Sequence, residues 1–83
     1  MDTTAIREKI RTYIAQSLIN DPDYQLEDDE GIITGSLIDS TDLAELAVYI
    51  ESEFDVYIPD PELTVAKMDT LDLIVARVVR GLA

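Results

Sequence analysis

In Asp39-Ser40-Thr41-Asp42-Leu43-Ala44-Glu45-Leu46-Ala47-Val48-Tyr49-Ile50-Glu51-Ser52-Glu53-Phe54, the residues Leu43, Leu46, Ala47, Ile50 and Phe54 fall in one narrow arc at 100° per residue. The spacing predicts an amphipathic helix from about Thr41 to Glu53 or Phe54, with that arc buried. Its opposite face carries Thr41, Glu45, Val48 and Ser52, with Ala44 beside them and Asp42, Tyr49 and Glu53 on one flank. Small apolar side chains ringed by acids suit a docking surface for partners that present a basic patch around an apolar dimple. A single exposed valine is also ordinary on any surface. At the helix start stands Ser40, whose hydroxyl is expected to be exposed beside free backbone N–H groups that favour an attached phosphate. A serine in that position also reads as a plain N-cap.

Outward from this helix, the chain reads as all-α. Asp2 or Thr3 can cap a first helix with Ile6, Ile10, Tyr13, Ile14 and Leu18 on one stripe, ending near Asn20-Asp21-Pro22. No periodicity holds from there to Asp39. A loop of that length in a small domain is expected to be functional or pinned by its own side chains, here Leu26, Ile32, Ile33, Leu37 and Ile38. After Phe54, Val56 and Ile58 are expected to tuck inward. Asp60-Pro61-Glu62 opens a short third helix that hardly passes Lys67. The last helix begins at Asp69 or Thr70, carries Leu71, Ile74, Val75, Val78 and Leu82 inward, and takes Gly81 as its terminator. The expectation is a small four-helix bundle, three main helices plus a short third one, in a single domain spanning residues 1–83.

Composition narrows what such a domain does. With no histidine and no cysteine, the usual general base and thiol nucleophile are missing, as are disulfides and thiolate metal sites. The chain is therefore read as a non-catalytic protein. A net charge of −12 excludes phosphate-backbone binding as its main business, so no nucleic acid is expected and basic protein partners are. No apolar run approaches the roughly 20 residues of a membrane span. With no signal-peptide pattern at the start, a cytoplasmic location away from the membrane is expected. From Thr12 to Ala66 there is no lysine or arginine, while fourteen carboxylates run from Asp21 to Glu62. Such a surface repels itself. Asp21, Asp23, Glu27, Asp28, Asp29 and Glu30 do not fit an EF-hand: with Gly31 or Gly35 as the sixth residue, Leu26 or Ile32 stands where an oxygen ligand is needed. No metal site is expected as the main function.

Gly35-Ser36-Leu37-Ile38-Asp39-Ser40-Thr41-Asp42-Leu43-Ala44-Glu45-Leu46, followed by Ile50-Glu51-Ser52-Glu53-Phe54-Asp55-Val56-Tyr57-Ile58-Pro59-Asp60, resembles the acyl and peptidyl carrier proteins, and the resemblance covers almost the whole chain. It implies that Ser40 receives a 4′-phosphopantetheine arm from coenzyme A through a phosphopantetheinyl transferase. The arm's thiol would hold an acyl or aminoacyl group as a thioester. Partners implied are an acyl- or aminoacyl-loading ligase or transferase and downstream synthase or modifying enzymes, visiting a carrier that acts as a monomer. Family partner-contact positions fall on Asp39, Thr41, Asp42, Ala44, Glu45, Val48, Glu51 and Ser52. Thr41 stands where a leucine usually follows the modified serine, and Ser52 where an acid is frequent. The chain looks most similar to free-standing carriers of polyketide, nonribosomal peptide or related specialised biosynthesis. A fatty-acid carrier, or an unmodified acidic interaction module in which Ser40 only caps its helix, are the alternatives. Ser36 is the rival attachment residue; it lacks the preceding Asp and the following helix.

Overall fold

Asp2 sits in extended backbone and accepts a hydrogen bond from Thr4 N at 3.3 Å, which starts helix α1, Thr3–Tyr13. The computed structural model describes residues 2–82. It is all-helical there, with four α-helices and no strand among the described residues: α1, α2 (Asp42–Phe54), α3 (Val65–Met68) and α4 (Leu71–Leu82).

The stripe on α1 is buried as expected at Ile6, Ile10, Ile14 and Leu18, while Tyr13 lies half-buried at its edge. One feature has no sequence signal. Beyond Tyr13 the helix widens into a π-helical turn, Ile14–Leu18, in which Ile19 N bonds Ile14 O at 2.8 Å. It stops at Asn20, whose φ of 63° is left-handed, and Asp21 N closes back on Ala15 O at 2.8 Å. Asparagine tolerates that conformation better than most residues, so Asn20 itself ends the helix rather than the proline after it.

Helix α2 buries Leu43, Leu46, Ile50 and Phe54; Ala47, expected with them, is only half-buried at the edge of the arc. Asp55 terminates it in the left-handed region at φ 58°, with its N–H on Glu51 O at 2.9 Å. A left-handed L-residue costs about 1–2 kcal/mol, and an acid at a helix C-terminus is unfavourable as well. Asp55→Gly is therefore expected to raise the unfolding free energy by about 1 kcal/mol, seen as a higher urea midpoint with unchanged slope.

Two expectations about the C-terminal third are corrected. The single third helix from Asp60 is split: Asp60–Glu62 is one 3-10 turn, Leu63 and Thr64 leave helical geometry (Thr64 φ −129°, ψ 161°), and α3 begins afresh at Val65. The break lets Leu63 lie against the core and gives α3 a start on an extended residue. Gly81 does not terminate α4, which runs through it to Leu82. Its reason is proximity: a Cβ there would meet Val56 Cγ1 at 2.4 Å. With Val56 packed at that point, Leu82 ends 44% exposed instead of completing the stripe. Thr70 caps α4, its hydroxyl accepting from Leu73 N at 3.1 Å.

The long loop is pinned in two ways. Leu26, Ile32 and Ile38 are buried, with Ile33 and Leu37 packed partly against them. Asp69, just before α4, takes up the loop's N–H groups: its backbone oxygen accepts from Ile32 N at 2.7 Å, and its carboxylate accepts from Ile33 N, Thr34 N and the Thr34 hydroxyl at 2.9, 3.0 and 2.8 Å. Burial pushes the Asp69 carboxyl up, but these donors outweigh it and leave the group below the usual carboxylate range.

Cations from the two ends of the chain fold back onto the acidic middle. Arg7 and Arg11 reach Asp28 at 3.3 and 2.7 Å, Lys9 reaches Glu53 at 2.6 Å, and Arg77 and Arg80 reach Glu62 at 2.7 and 3.2 Å. Glu30, in the same loop as Asp28, accepts from the Tyr24 hydroxyl and from the Glu27 N–H. Asp39, Asp42, Glu45, Glu51, Asp55 and Asp60 form no ion pair among the described residues. Uncompensated charge therefore remains on and around α2, as it does on Asp21, Asp23, Glu27 and Asp29 of the loop.

Candidate functional site

The turn that carries Ser40 is set by its neighbours. Leu37 N and Ile38 N both bond Ile32 O at 3.0 Å, and Ile38 is buried, so the chain leaves the core at Asp39. Asp39 then acts as the cap. Its Oδ1 accepts from Thr41 N at 2.9 Å, from the Thr41 hydroxyl, and from Asp42 N at 3.3 Å, while Asp39 N donates to Asp42 Oδ2 at 3.1 Å. This is a reciprocal capping box built from two aspartates three residues apart. The Thr41 hydroxyl holds the Asp39 carboxyl below its usual range, and the backbone donors add to that.

Two consequences follow for Ser40. It is not the cap, and among the described residues its hydroxyl makes no hydrogen bond, while the side chain is exposed. The N–H groups expected to be free at the helix start are taken, however, and only that of Ser40 itself has no partner among the described residues. Asp39 takes those of Thr41 and Asp42, and Leu43 N and Ala44 N close onto Ser40 O and Thr41 O at 3.3 Å each. A phosphate on Ser40 would find no open helix terminus and would sit between two carboxylates. What the fold offers it is access.

Ser40 opens on a surface cleft of about 560 Å³ shared with Ile33, Leu37, Asp42 and Val65. Ser36, its rival, lines the same cleft from a left-handed turn at φ 64°. Further along α2, Ala44, Glu45, Val48 and Ser52 line a groove of about 500 Å³ whose other wall is Tyr13 and Tyr49. On the far side of Val48, Ala44, Val48 and Glu51 face Tyr57 and Leu63 across a smaller hollow of about 180 Å³. Val48, 67% exposed, is the ridge between them. The partner-contact positions that the resemblance implies therefore divide: Asp39 and Asp42 flank Ser40, while Ala44, Glu45, Val48, Glu51 and Ser52 shape the two hollows, and Thr41 is exposed with its hydroxyl committed to Asp39.

Tyr13 and Tyr49 are stacked, ring centroids 4.1 Å apart and 9° from parallel. Each donates across to the other helix, Tyr13 Oη to Glu45 O at 3.4 Å and Tyr49 Oη to Lys9 O at 3.3 Å. Burial first, then Glu45 and Asp42 beside Tyr13 and Glu53 beside Tyr49, hold both phenols above their usual range, so they remain neutral donors. The sequence placed Tyr13 in the core stripe and Tyr49 on a flank; their position at the two edges facing each other is what makes them a groove wall. Val65 and Tyr57, both exposed, were not anticipated at the site; no periodic signal marks them.

Among the described residues no helix is long and apolar enough to cross a membrane, and no group of three or more potential metal ligands is gathered. Compared with protein-family models and with curated proteins, the chain matches none.

Proposed function

We propose that this protein is an acyl carrier of the four-helix-bundle type, bearing 4′-phosphopantetheine on Ser40 and presenting an acyl or aminoacyl thioester to enzymes that dock on α2. The observation that carries this reading is the Ser40 hydroxyl, exposed and unbonded in a turn that Asp39 and Asp42 cap without it. In the transfer, Ser40 Oγ bonds to the pantetheine-side phosphorus of coenzyme A, the pyrophosphate bond breaks, and adenosine 3′,5′-bisphosphate leaves. The hydroxyl proton passes to a base on the transferase, since the chain has no histidine to take it. Residues of this chain orient and expose; Leu37 and Ile38 anchor the turn. The arm supplies the thiol the sequence lacks. Specialised biosynthesis is the setting we favour, in a cytoplasmic monomer.

Incubation with coenzyme A and a promiscuous phosphopantetheinyl transferase, followed by intact-mass measurement, is expected to add one phosphopantetheine to the wild type and none to Ser40→Ala. No gain in the wild type, or an equal gain in Ser40→Ala, overturns the assignment and favours the unmodified interaction module. That second reading draws on one observation, the capping box that fills the helix terminus.

Docking is tested separately. Glu45→Lys and Val48→Asp, both exposed, are expected to reduce the rate of arm transfer by about tenfold or more while far-UV circular dichroism stays unchanged. Unchanged transfer rates would remove α2 from the recognition surface.

A further inference from the structure

Away from Ser40 and the α2 grooves, α3 and α4 enclose a cleft of about 340 Å³ whose apolar surface comes from Met68, Leu73 and Ala76 and whose rim carries Lys67, Arg77 and Arg80. Half of the chain's six cations are here. One acid, Glu62, lies among them, and it is already engaged: Arg77 Nε donates to one carboxylate oxygen at 2.7 Å, Arg77 Nη2 to the other at 3.3 Å, and Arg80 adds a 3.2 Å contact to the first. Arg77 thus neutralises Glu62. Lys67 has no ion pair among the described residues, and Arg80 is 71% exposed. The rim keeps two cations over its single acid on a protein whose net charge is −12.

From this charge pattern we infer that the α3–α4 cleft is a second docking surface, for a partner protein segment that presents one leucine- or phenylalanine-sized side chain flanked by carboxylates. Two facts select that chemistry. The apolar floor is only three side chains, with Leu73 40% exposed at its edge, and the other four lining residues are charged, which suits one apolar side chain with polar neighbours rather than a long apolar ligand. The rim meets carboxylates with Lys67 and Arg80, while the rest of the surface repels acidic partners and the α2 face selects basic ones. The two faces therefore sort partners by charge. The cleft is independent of Ser40, and this inference stands whether or not that serine is modified.

The test titrates isotope-labelled full-length protein with a synthetic acetylated peptide of alternating glutamates and leucines, following backbone amide resonances. Expected are shifts centred on Lys67, Met68, Leu73, Ala76 and Arg80 that weaken with added salt, and a loss of affinity of at least about tenfold in the double variant Lys67→Glu/Arg80→Glu. Both residues are exposed and Arg77 keeps its bond to Glu62, so the variant is expected to retain wild-type helix content. Absence of shifts at millimolar peptide, shifts that persist in the double variant, or shifts centred on Val48 would overturn the inference. So would cleft shifts that depend on protein concentration without peptide, which would make a second copy the occupant.

Discussion

Phe54→Ala is expected to lower the unfolding free energy by about 3–5 kcal/mol, the range for truncating a core phenylalanine. Phe54 closes the C-terminal end of the α2 arc, is 6% exposed, and meets the Tyr49 ring edge-on at 6.2 Å and 89°. Its removal leaves a void where α2 turns into the Val56–Ile58 connector, both of whose apolar side chains are buried. For a domain of this size each kcal/mol shifts Tm by about 4–8 °C, so the midpoint should fall by more than about 12 °C. Thermal and urea unfolding check it. A change below about 1 kcal/mol would mean that neighbouring side chains refill the site.

The second large effect belongs to a polar residue. Asp69→Ala removes three hydrogen bonds accepted by one carboxylate and leaves the Ile33 and Thr34 N–H groups without that partner. Because two of the three bonds are exposed to water, the expected cost is about 2–3 kcal/mol rather than the sum of three buried charged bonds. The sign with pH follows from the direction of the shift. Asp69 is held below its unfolded value, so its contribution is fully present above the ordinary aspartate range and is lost as pH falls through the lower folded value. The wild-type advantage over Asp69→Ala should accordingly shrink as pH drops below about 4. Comparing the two proteins cancels the relief of acidic repulsion that protonation brings to both. An advantage constant from neutral pH down to pH 2 would assign the stabilisation to something other than the carboxylate.

Much of this fold is legible because amphipathic spacing is a statement about burial. The α2 arc, the α1 stripe and the loop anchors Leu26, Ile32 and Ile38 all lie where their periodicity or hydrophobicity places them. The errors come where geometry depends on a distant atom. Gly81 looks like a terminator until Val56 is brought against it, and the third helix looks continuous until Leu63 turns toward the core. The π-helical turn before Asn20 has no local cause in the sequence. At the site, the Asp39-x-x-Asp42 spacing was in plain view as a reciprocal cap. Neither reading of Ser40, as attachment point or as N-cap, uses that spacing, and the N–H groups expected to be free at the helix start are ones the aspartates hold.

The stacked pair Tyr13 and Tyr49 makes the α1–α2 seam an optical reporter. The chain has four tyrosines and no tryptophan, so its near-ultraviolet signal is uncluttered, and two of its chromophores are held 4.1 Å apart in a fixed orientation. Anything that wedges into that groove or spreads the two helices will change their coupling. An enzyme engaging α2, or an unfolding event that starts at this seam, can then be timed by absorbance or circular dichroism with no label attached.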